Sequence, residues 1–207
     1  MKFIVGKKLN MTQLWSENGK RLSVSAVLAG PCFITQIKTK DTDGYDAVQI
    51  GFEEVKETRF TKPEKGHLKK SGKYLRTTVE FRLKGRSIEE KLKVGEQISA
   101  TIFQENDRVS VQSISKGKGF QGVVRRHGFS GAPATHGHKD QLRMPGSIGA
   151  TNPQRVTKGR RMAGRMGNDT VTVQNLKIIK VDGENNVLYV KGAIPGARGA
   201  IVKIKSV

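Results

Sequence analysis

The sequence contains a single cysteine, Cys32, so an internal disulfide cannot form and a reducing compartment suits the chain. It has no apolar run long enough to cross a membrane, and its basic stretches lack the bulky apolar face of an interfacial helix. Residues Met1 to Leu14 contain no apolar region of signal-peptide length. These absences argue against membrane binding and predict a cytosolic protein.

Acidic residues are also scarce between Ser115 and Gly167, where Asp140 is the only one. The same stretch holds eleven lysines and arginines, many glycines and almost no aliphatic periodicity. Such a segment cannot build an apolar core, and it repels itself in water. We therefore predict that it is mobile in the free protein and needs a polyanion to fix its conformation.

The whole chain carries a formal charge of +20 and a pI near 10.3. Solubility does not require an excess of this size, and basic excess is usually matched to phosphates. The composition therefore predicts a nucleic-acid partner, with neither a membrane nor a small-molecule substrate.

Short segments in which apolar and polar residues alternate lie on both sides of the basic stretch. This period of two predicts half-buried antiparallel strands. The segments are marked by the apolar residues Leu22, Val24, Ala26 and Leu28; Val48, Ile50 and Phe52; Val79, Phe81 and Leu83; Val109 and Val111; Val171 and Val173; and Val202 and Ile204, with further strand segments from Leu176 to Val181 and from Val187 to Lys191. The turns between them are predicted at Asn18-Gly19, Gly30-Pro31, Asp43-Gly44 and Asp182-Gly183.

The predicted fold class is mainly β. Residues 1–114 and 168–207 supply enough strands for a closed or nearly closed antiparallel barrel. Within them, residues 53–76 are predicted to form a charged surface excursion with a short helical turn. Residues 115–167 are a long, largely irregular basic insertion, and their length beyond that of ordinary loops indicates a function.

The insertion begins with a glycine-rich motif, Gly117 to Gly122, that matches the G-x-G-x-x-G pattern of dinucleotide-binding proteins. That chemistry needs a helix at the last glycines and then a parallel strand, and the following sequence predicts neither. The alternative is a backbone that passes close to phosphates, with glycine removing steric obstruction. We predict no cofactor, and with neither a nucleophile elbow nor a Walker motif we predict no catalytic residues.

Three histidines lie in the insertion, and two of them form the pair His136-x-His138. A zinc site would require further ligands, yet Cys32 is remote in sequence and Asp140 is the only local carboxylate. We therefore predict no metal site. Histidine and arginine planes near RNA stack on bases or donate to phosphate, and a solvated surface is the simpler alternative.

The run from Lys158 to Gly167 has several cations and no acid, whereas a solvated face normally mixes both signs. Met162 and Met166 in this run could equally pack against the barrel. We predict that the nucleic-acid-binding residues of the insertion are Lys116, Lys118, Arg125, Arg126, His127, His136, His138, Lys139, Arg143, Arg155, Lys158, Arg160, Arg161 and Arg165.

Three stretches of the chain resemble the bacterial form of the universal large-subunit ribosomal protein three family. They are Gly6 to Thr12; Phe103 through Lys116-Gly117-Lys118-Gly119-Phe120-Gln121-Gly122 to His127; and Met144 to Gly149 with Gly159 to Gly167 and Val190 to Gly196. The resemblance covers essentially the whole chain.

The resemblance implies a translation-protein-type β-barrel and a finger that enters 23S-type rRNA toward the peptidyl transferase centre. It further implies binding near the 3′ end of that rRNA, an early role in subunit assembly, and contacts with the large-subunit proteins numbered fourteen and nineteen.

Two positions depart from the family pattern. Asn10 stands where relatives usually have glycine, and asparagine tolerates a left-handed backbone there. Ala150 stands where some relatives have a methylated glutamine, so that modification cannot occur at this position.

Two other functions stay open at the level of sequence. One is an RNA-modifying or nucleotide-dependent enzyme that uses the glycine-rich motif. The other is a free nucleic-acid-binding module, such as a translation factor or nucleoid protein.

Overall fold

The structure, a computed structural model, describes residues 2–83 and 92–207. The range predicted for the β-barrel also includes Met1 and residues 84–91, which lie outside the described residues. The chain divides into two compact units, one formed by Met1–Ile114 with Thr170–Val207 and the other by Ser115–Asp169. We call the first the β-domain and the second the inserted unit.

The elements are numbered in chain order. The strands are β1 (Phe3–Trp15), β2 (Arg21–Ala29), β3 (Cys32–Lys38), β4 (Ala47–Glu54), β5 (Leu75–Arg82), β6 (Gln97–Ile98), β7 (Arg108–Ile114), β8 (Phe120–Gln121), β9 (Gly164–Arg165), β10 (Thr170–Asp182), β11 (Val187–Lys191) and β12 (Ile201–Ser206). The α-helices are α1 (Lys40–Asp43), α2 (Lys62–Leu68) and α3 (Val123–His127). Single 3-10 turns lie at Glu57–Arg59, Lys69–Ser71, Ala100–Ile102 and Lys139–Gln141.

Six strands of the β-domain close into an antiparallel barrel in the order β1-β12-β7-β10-β11-β2. Four others form a separate antiparallel sheet in the order β5-β4-β3-β6. The predicted class, mainly β, is therefore confirmed. The sequence did not separate the second sheet from the barrel, because strands of both sheets show the same alternation.

Alternation holds where one face of a strand meets solvent. In β12, Val202 and Ile204 are fully buried, whereas Lys203 and Lys205 are not. In β5, Val79 and Phe81 are buried between more exposed polar neighbours.

Alternation fails where a strand is covered on both faces, so the expectation of half-buried strands is wrong for part of β2. Strand β1, which the sequence pattern did not predict, is buried in the same way at its start. Four consecutive residues are buried in each, Phe3–Gly6 and Val24–Val27. The second sheet covers the outer side of β1 here, since the ring of Phe3 stacks on that of Phe81 at a centroid distance of 5.0 Å. One buried cluster therefore joins both sheets.

The predicted turns interrupt the strands at the expected places, with differences in detail. Gly19 has the left-handed φ of +69° that the β1–β2 turn requires, and Gly30-Pro31 separates β2 from β3. Gly44, at φ +80°, ends the short helix α1 instead of forming a two-residue hairpin turn. After β10 the left-handed residue is Asn186.

Strand β10 unites two segments that the sequence pattern had separated. Its pairing with β7 shifts register between Val173 and Leu176, and Asn175 within this gap has a φ of +57°. A bulge of this kind reverses the phase of the alternation without ending the strand.

Asn10 does not adopt the left-handed backbone expected for it. It lies within β1, where the register with β2 shifts between Lys8 and Met11.

The excursion after β4 contains more helix than predicted. Helix α2 begins with a capping box, in which the backbone N–H of Thr61 donates to the Glu64 carboxylate at 2.8 Å. This bond holds the pKa of Glu64 below its usual value.

Candidate nucleic-acid interface

The inserted unit begins and ends as a pair of antiparallel segments. The Ser115 N–H donates to the Asp169 carbonyl at 2.8 Å, and the Asp169 N–H donates to the Ser115 hydroxyl at 3.2 Å. Further on, the Lys118 N–H bonds the Met166 carbonyl at 2.9 Å, and β8 pairs with β9. The two ends of the glycine-rich segment are thus joined by backbone hydrogen bonds.

Contrary to expectation, a helix follows the glycine-rich motif. Gly122 is the N-cap of α3, which ends after five residues at Gly128 with a φ of +75°. A helix this short cannot orient a dinucleotide, and the next element along the chain after it is a single 3-10 turn at Lys139–Gln141, not a strand. The dinucleotide-binding alternative therefore lacks its structural context.

Two predicted binding residues on α3 bond the protein itself. Arg126 Nη1 donates to the Met162 carbonyl at 2.6 Å, and His127 Nε2 donates to the same oxygen at 3.1 Å. Gly164 makes room for this arrangement, because a Cβ there would lie 2.8 Å from Arg126 Nη1. Both side chains are half-buried, so their first role is to connect α3 to the returning segment.

The rest of the inserted unit is open to solvent. Val123 is its only buried residue, and every residue from 133 to 163 is exposed. Its bonds are mostly local turns, with a few longer contacts: the Ala132 N–H donates to the Leu142 carbonyl at 3.1 Å, and the Arg160 guanidinium donates to the Ser147 carbonyl. Packing contributes little to the conformation of this region.

The cations of the inserted unit are largely exposed and uncompensated. Twelve of the fourteen predicted binding residues are exposed; Arg126 and His127 are the other two. Among the residues that the structure describes, one ion pair involves this unit, Arg165 with Asp169 at 3.7 Å, and it is two-thirds exposed. Eleven cations against two acids leave the unit at +9 of the total of +20.

In the β-domain, by contrast, several cations form ion pairs with carboxylates of the same domain. Lys38 pairs with Glu80 at 2.7 Å, and Lys2 pairs with Asp107 at 2.8 Å. These bonds lower the pKa of both carboxyl groups and raise that of Lys38. Neutralising partners inside the protein are thus common in the β-domain and scarce in the inserted unit.

The histidine pair lies on the exposed part of the inserted unit, and His136 has a left-handed φ of +60°. Across residues 2–83 and 92–207, no group of three or more histidine, cysteine or acidic side chains could hold a metal ion.

One basic surface of the β-domain was missed by the sequence prediction. A cleft of about 680 Å³ is lined by Arg82, Lys203 and Lys205 and by one acidic side chain, Glu80, which pairs with Lys38. Ser110 also lines it, and its buried hydroxyl has no hydrogen-bond partner within the described structure. Its sequence signature is the alternation in β12, where lysines face outward between buried aliphatic residues. That pattern alone did not distinguish it from an ordinary solvated strand.

Exposed cations on a glycine-rich unit without a core, inserted into a small β-domain, are typical of structural proteins that bind nucleic acid. In such proteins glycines let phosphates approach the backbone, and the cations supply the attraction.

Comparison with known proteins makes the class specific. The family model described as Ribosomal protein L3 matches residues 36–186. Three relatives carry the name Large ribosomal subunit protein uL3. The protein of Herpetosiphon aurantiacus is 50% identical over 97% of this chain and 94% of its own. That of Chlorobium limicola is 46% identical over 99% and 98%, and that of Cutibacterium acnes is 47% identical over 100% and 92%.

The chain belongs to the ribosomal protein L3 family. The resemblance given by its motifs is therefore confirmed. The family consists of structural proteins, so membership also confirms the prediction that the chain is not an enzyme. Within the described residues, no helix has the length and apolar character needed to cross a membrane.

Proposed function

We propose that this protein is a structural component of the large ribosomal subunit in the cytoplasm, and that residues 115–167 bind 23S-type rRNA. The observation that carries the proposal is the +9 charge of an exposed, core-less unit with one weak internal ion pair. Membership in the L3 family, whose relatives are named as large-subunit proteins, supplies the identity of the polyanion.

The mechanism is charge neutralisation. Exposed side chains such as Lys118, Lys158 and Arg161 lie close to phosphates, displace counterions and hold neighbouring rRNA segments together. Backbone N–H groups beside glycines add contacts that carry no sequence information but fix position. Arg126 and His127 contribute indirectly, by holding α3 against the returning segment.

The division of labour follows the two units. Residues 1–114 and 168–207 act as the anchoring β-domain, and residues 115–167 act as the RNA-penetrating finger. By analogy with the family, the finger extends toward the peptidyl transferase centre, binding occurs near the 3′ end of the rRNA, and it takes place early in assembly. The neighbouring proteins numbered fourteen and nineteen are the proposed protein partners.

The salt dependence of binding tests this mechanism. If about ten phosphates are neutralised, the logarithm of the association constant for cognate rRNA should fall with log salt at a slope of about −7 to −9. The change Lys158→Gln should weaken binding and reduce the slope by roughly 0.7 to 0.9. The matched control is Lys177→Gln on the exposed face of β10, which should leave both unchanged.

A slope near zero, or equal effects of both substitutions, would remove the charge-neutralisation mechanism. Membership of the subunit is tested separately by sucrose-gradient sedimentation. Migration with large subunits after a high-salt wash is expected, whereas release into the soluble fraction would indicate a free nucleic-acid-binding module.

A further inference from the structure

The hairpin formed by β1 and β2 exposes the only tryptophan of the chain. Trp15 lies at the end of β1, next to the turn at Ser16–Lys20, and its side chain is 67% exposed. Burial of a tryptophan is worth more than burial of most side chains, so an exposed one at a fixed position invites an explanation.

The pairing register places Trp15 on a defined face of the hairpin. Trp15 pairs with Arg21, Gln13 with Ser23, and Met11 with Ser25. Paired residues of antiparallel strands share a face, and alternate residues along a strand share it too. Trp15, Arg21, Gln13, Ser23 and Met11 therefore lie on one face and are exposed, Met11 by 51%. Ser25 lies on the same face but is buried and donates to the Gly192 carbonyl, so the exposed part of this face ends at Met11.

The opposite face does the packing. Leu14 pairs with Leu22 and both are half-buried, while Val24 on the same face is fully buried. The fold is thus stabilised through this side of the hairpin. The exposure of Trp15 is not a by-product of a strand that has no buried face.

The hairpin also fixes the backbone that carries the indole. Ladder pairs continue without interruption from Met11–Ser25 to Trp15–Arg21. The turn is closed by two backbone bonds of 2.9 Å, from the Ser16 N–H to the Lys20 carbonyl and from the Gly19 N–H to the Ser16 carbonyl. An aromatic side chain on such a frame loses little entropy when it binds a planar ligand.

The chemistry around Trp15 fits a nucleotide. Arg21 pairs with Trp15 across the hairpin, and Lys20 directly precedes Arg21 in the chain. Glu17, in the turn, is the hairpin's only acid. An aromatic platform with a neighbouring cation is the arrangement that proteins use to stack an unpaired base and hold its phosphate. Gln13 and Ser23 offer hydrogen bonds to the base edge or ribose.

We propose that this Trp15 face is a second RNA-binding site, separate from residues 115–167, that stacks an unpaired base on the indole and bonds the adjoining phosphate through Arg21. The proposal rests on the proposed function only in that RNA is the partner. Tryptophan, arginine and methionine are also frequent in protein interfaces. The net charge of +11 that the β-domain retains outside the inserted unit favours the polyanion.

The single tryptophan supplies a direct test. The full-length protein is titrated with a fluorescein-labelled single-stranded RNA oligonucleotide, with binding followed by anisotropy and stacking followed by Trp15 emission. Quenching of the emission at the concentrations that raise the anisotropy is the expected result. A blunt RNA duplex of equal length, which offers no unpaired base inside its stack, should quench far less.

The anisotropy tests RNA binding by the protein, and the Trp15 emission tests the Trp15 site. Absence of any anisotropy change would count against the RNA-binding function itself. Binding without quenching would overturn the Trp15 site alone. A blue shift of the emission that occurs only when purified large-subunit proteins are added would also overturn it, since the face would then be a protein interface.

Substitutions give an independent measure. Trp15→Ala should weaken binding of the single strand by about 5- to 100-fold, whereas Trp15→Phe should retain most of the affinity. The control Val94→Ala removes another exposed apolar side chain of the β-domain, 40% exposed, and should change nothing. Equal affinity of the Trp15→Ala variant and the unchanged protein would contradict the site. Thermal unfolding by circular dichroism should be the same for all variants, because none removes a buried group.

Discussion

At the residue scale, a side chain's environment decides its chemistry more than its type does. Arg126 and Arg161 look equivalent in the sequence, yet the guanidinium of Arg126 bonds the Met162 carbonyl while Arg161 is exposed. Cys32 is a stronger example. It is fully buried, its thiol donates to the Val5 carbonyl at 3.1 Å, and burial raises its pKa to about 12.

We expect Cys32 to resist alkylation in the folded protein. At pH 8 a pKa of about 12 leaves roughly a thousandfold less thiolate than an ordinary cysteine has, and thiolate is the reactive form. Iodoacetamide labelling followed by mass spectrometry should show no modification of the native protein and complete modification in denaturant. Labelling of the native protein at the rate of a small thiol would contradict the buried position.

At the element scale, the environment of a strand depends on its pairing partners and on contacts between segments that are far apart in the chain. The bulge at Asn175 lets β10 run through two patterns of opposite phase, and the second sheet turns one end of β1 into a strand buried on both faces. Lys2 then connects the start of β1 to the turn before β7 through Asp107 at 2.8 Å.

This ion pair predicts a loss of stability in acid. The Lys2 ammonium, and then the Gln104 N–H, lower the pKa of Asp107 below its unfolded value. A carboxyl group with a depressed pKa contributes stability above its unfolded pKa, about 3.9, and that contribution is lost as the pH falls through the folded pKa. Glu80, lowered by Lys38, acts in the same direction.

Urea unfolding between about pH 6 and pH 2 measures the effect. The free energy of unfolding should fall below about pH 4, and Asp107→Asn should make that fall less steep. Asp140→Asn, on the exposed inserted unit, is the matched control and should leave the pH profile unchanged. If Asp107→Asn has the same pH profile as the unchanged protein, the pair contributes nothing to stability.

At the scale of the whole molecule, the two units are stabilised by different means. The β-domain has a continuous buried cluster across two sheets. The inserted unit has one buried residue, a short helix and hydrogen bonds that are concentrated where its two ends meet. The hydrogen-bonded segments at its two ends, 115–121 and 164–169, contain more regular structure than the sequence predicted. The exposure of residues 133–163 agrees with a segment that has no core.

Hydrogen exchange should therefore be uneven along the chain. In the free protein, amides of residues 133–163 should exchange rapidly, since they are exposed and their bonds are local, while barrel amides near Ile4, Val111 and Ile204 should exchange slowly. The paired segments at 115–121 and 164–169 should be intermediate. On the assembled subunit the 133–163 region should become protected. Uniformly slow exchange in the free protein would refute this account.

The sequence by itself determined the β class, most strand positions, the basic insertion and the family, because these depend on local alternation, turn residues, charge and motif. The sequence pattern did not distinguish the two sheets and predicted no helix after Gly122. It also indicated no function for Trp15. Those features depend on which strands pair, which face is covered and which atoms meet across the chain. Only the tertiary structure decided them, since such contacts join residues far apart in sequence whose local patterns look alike.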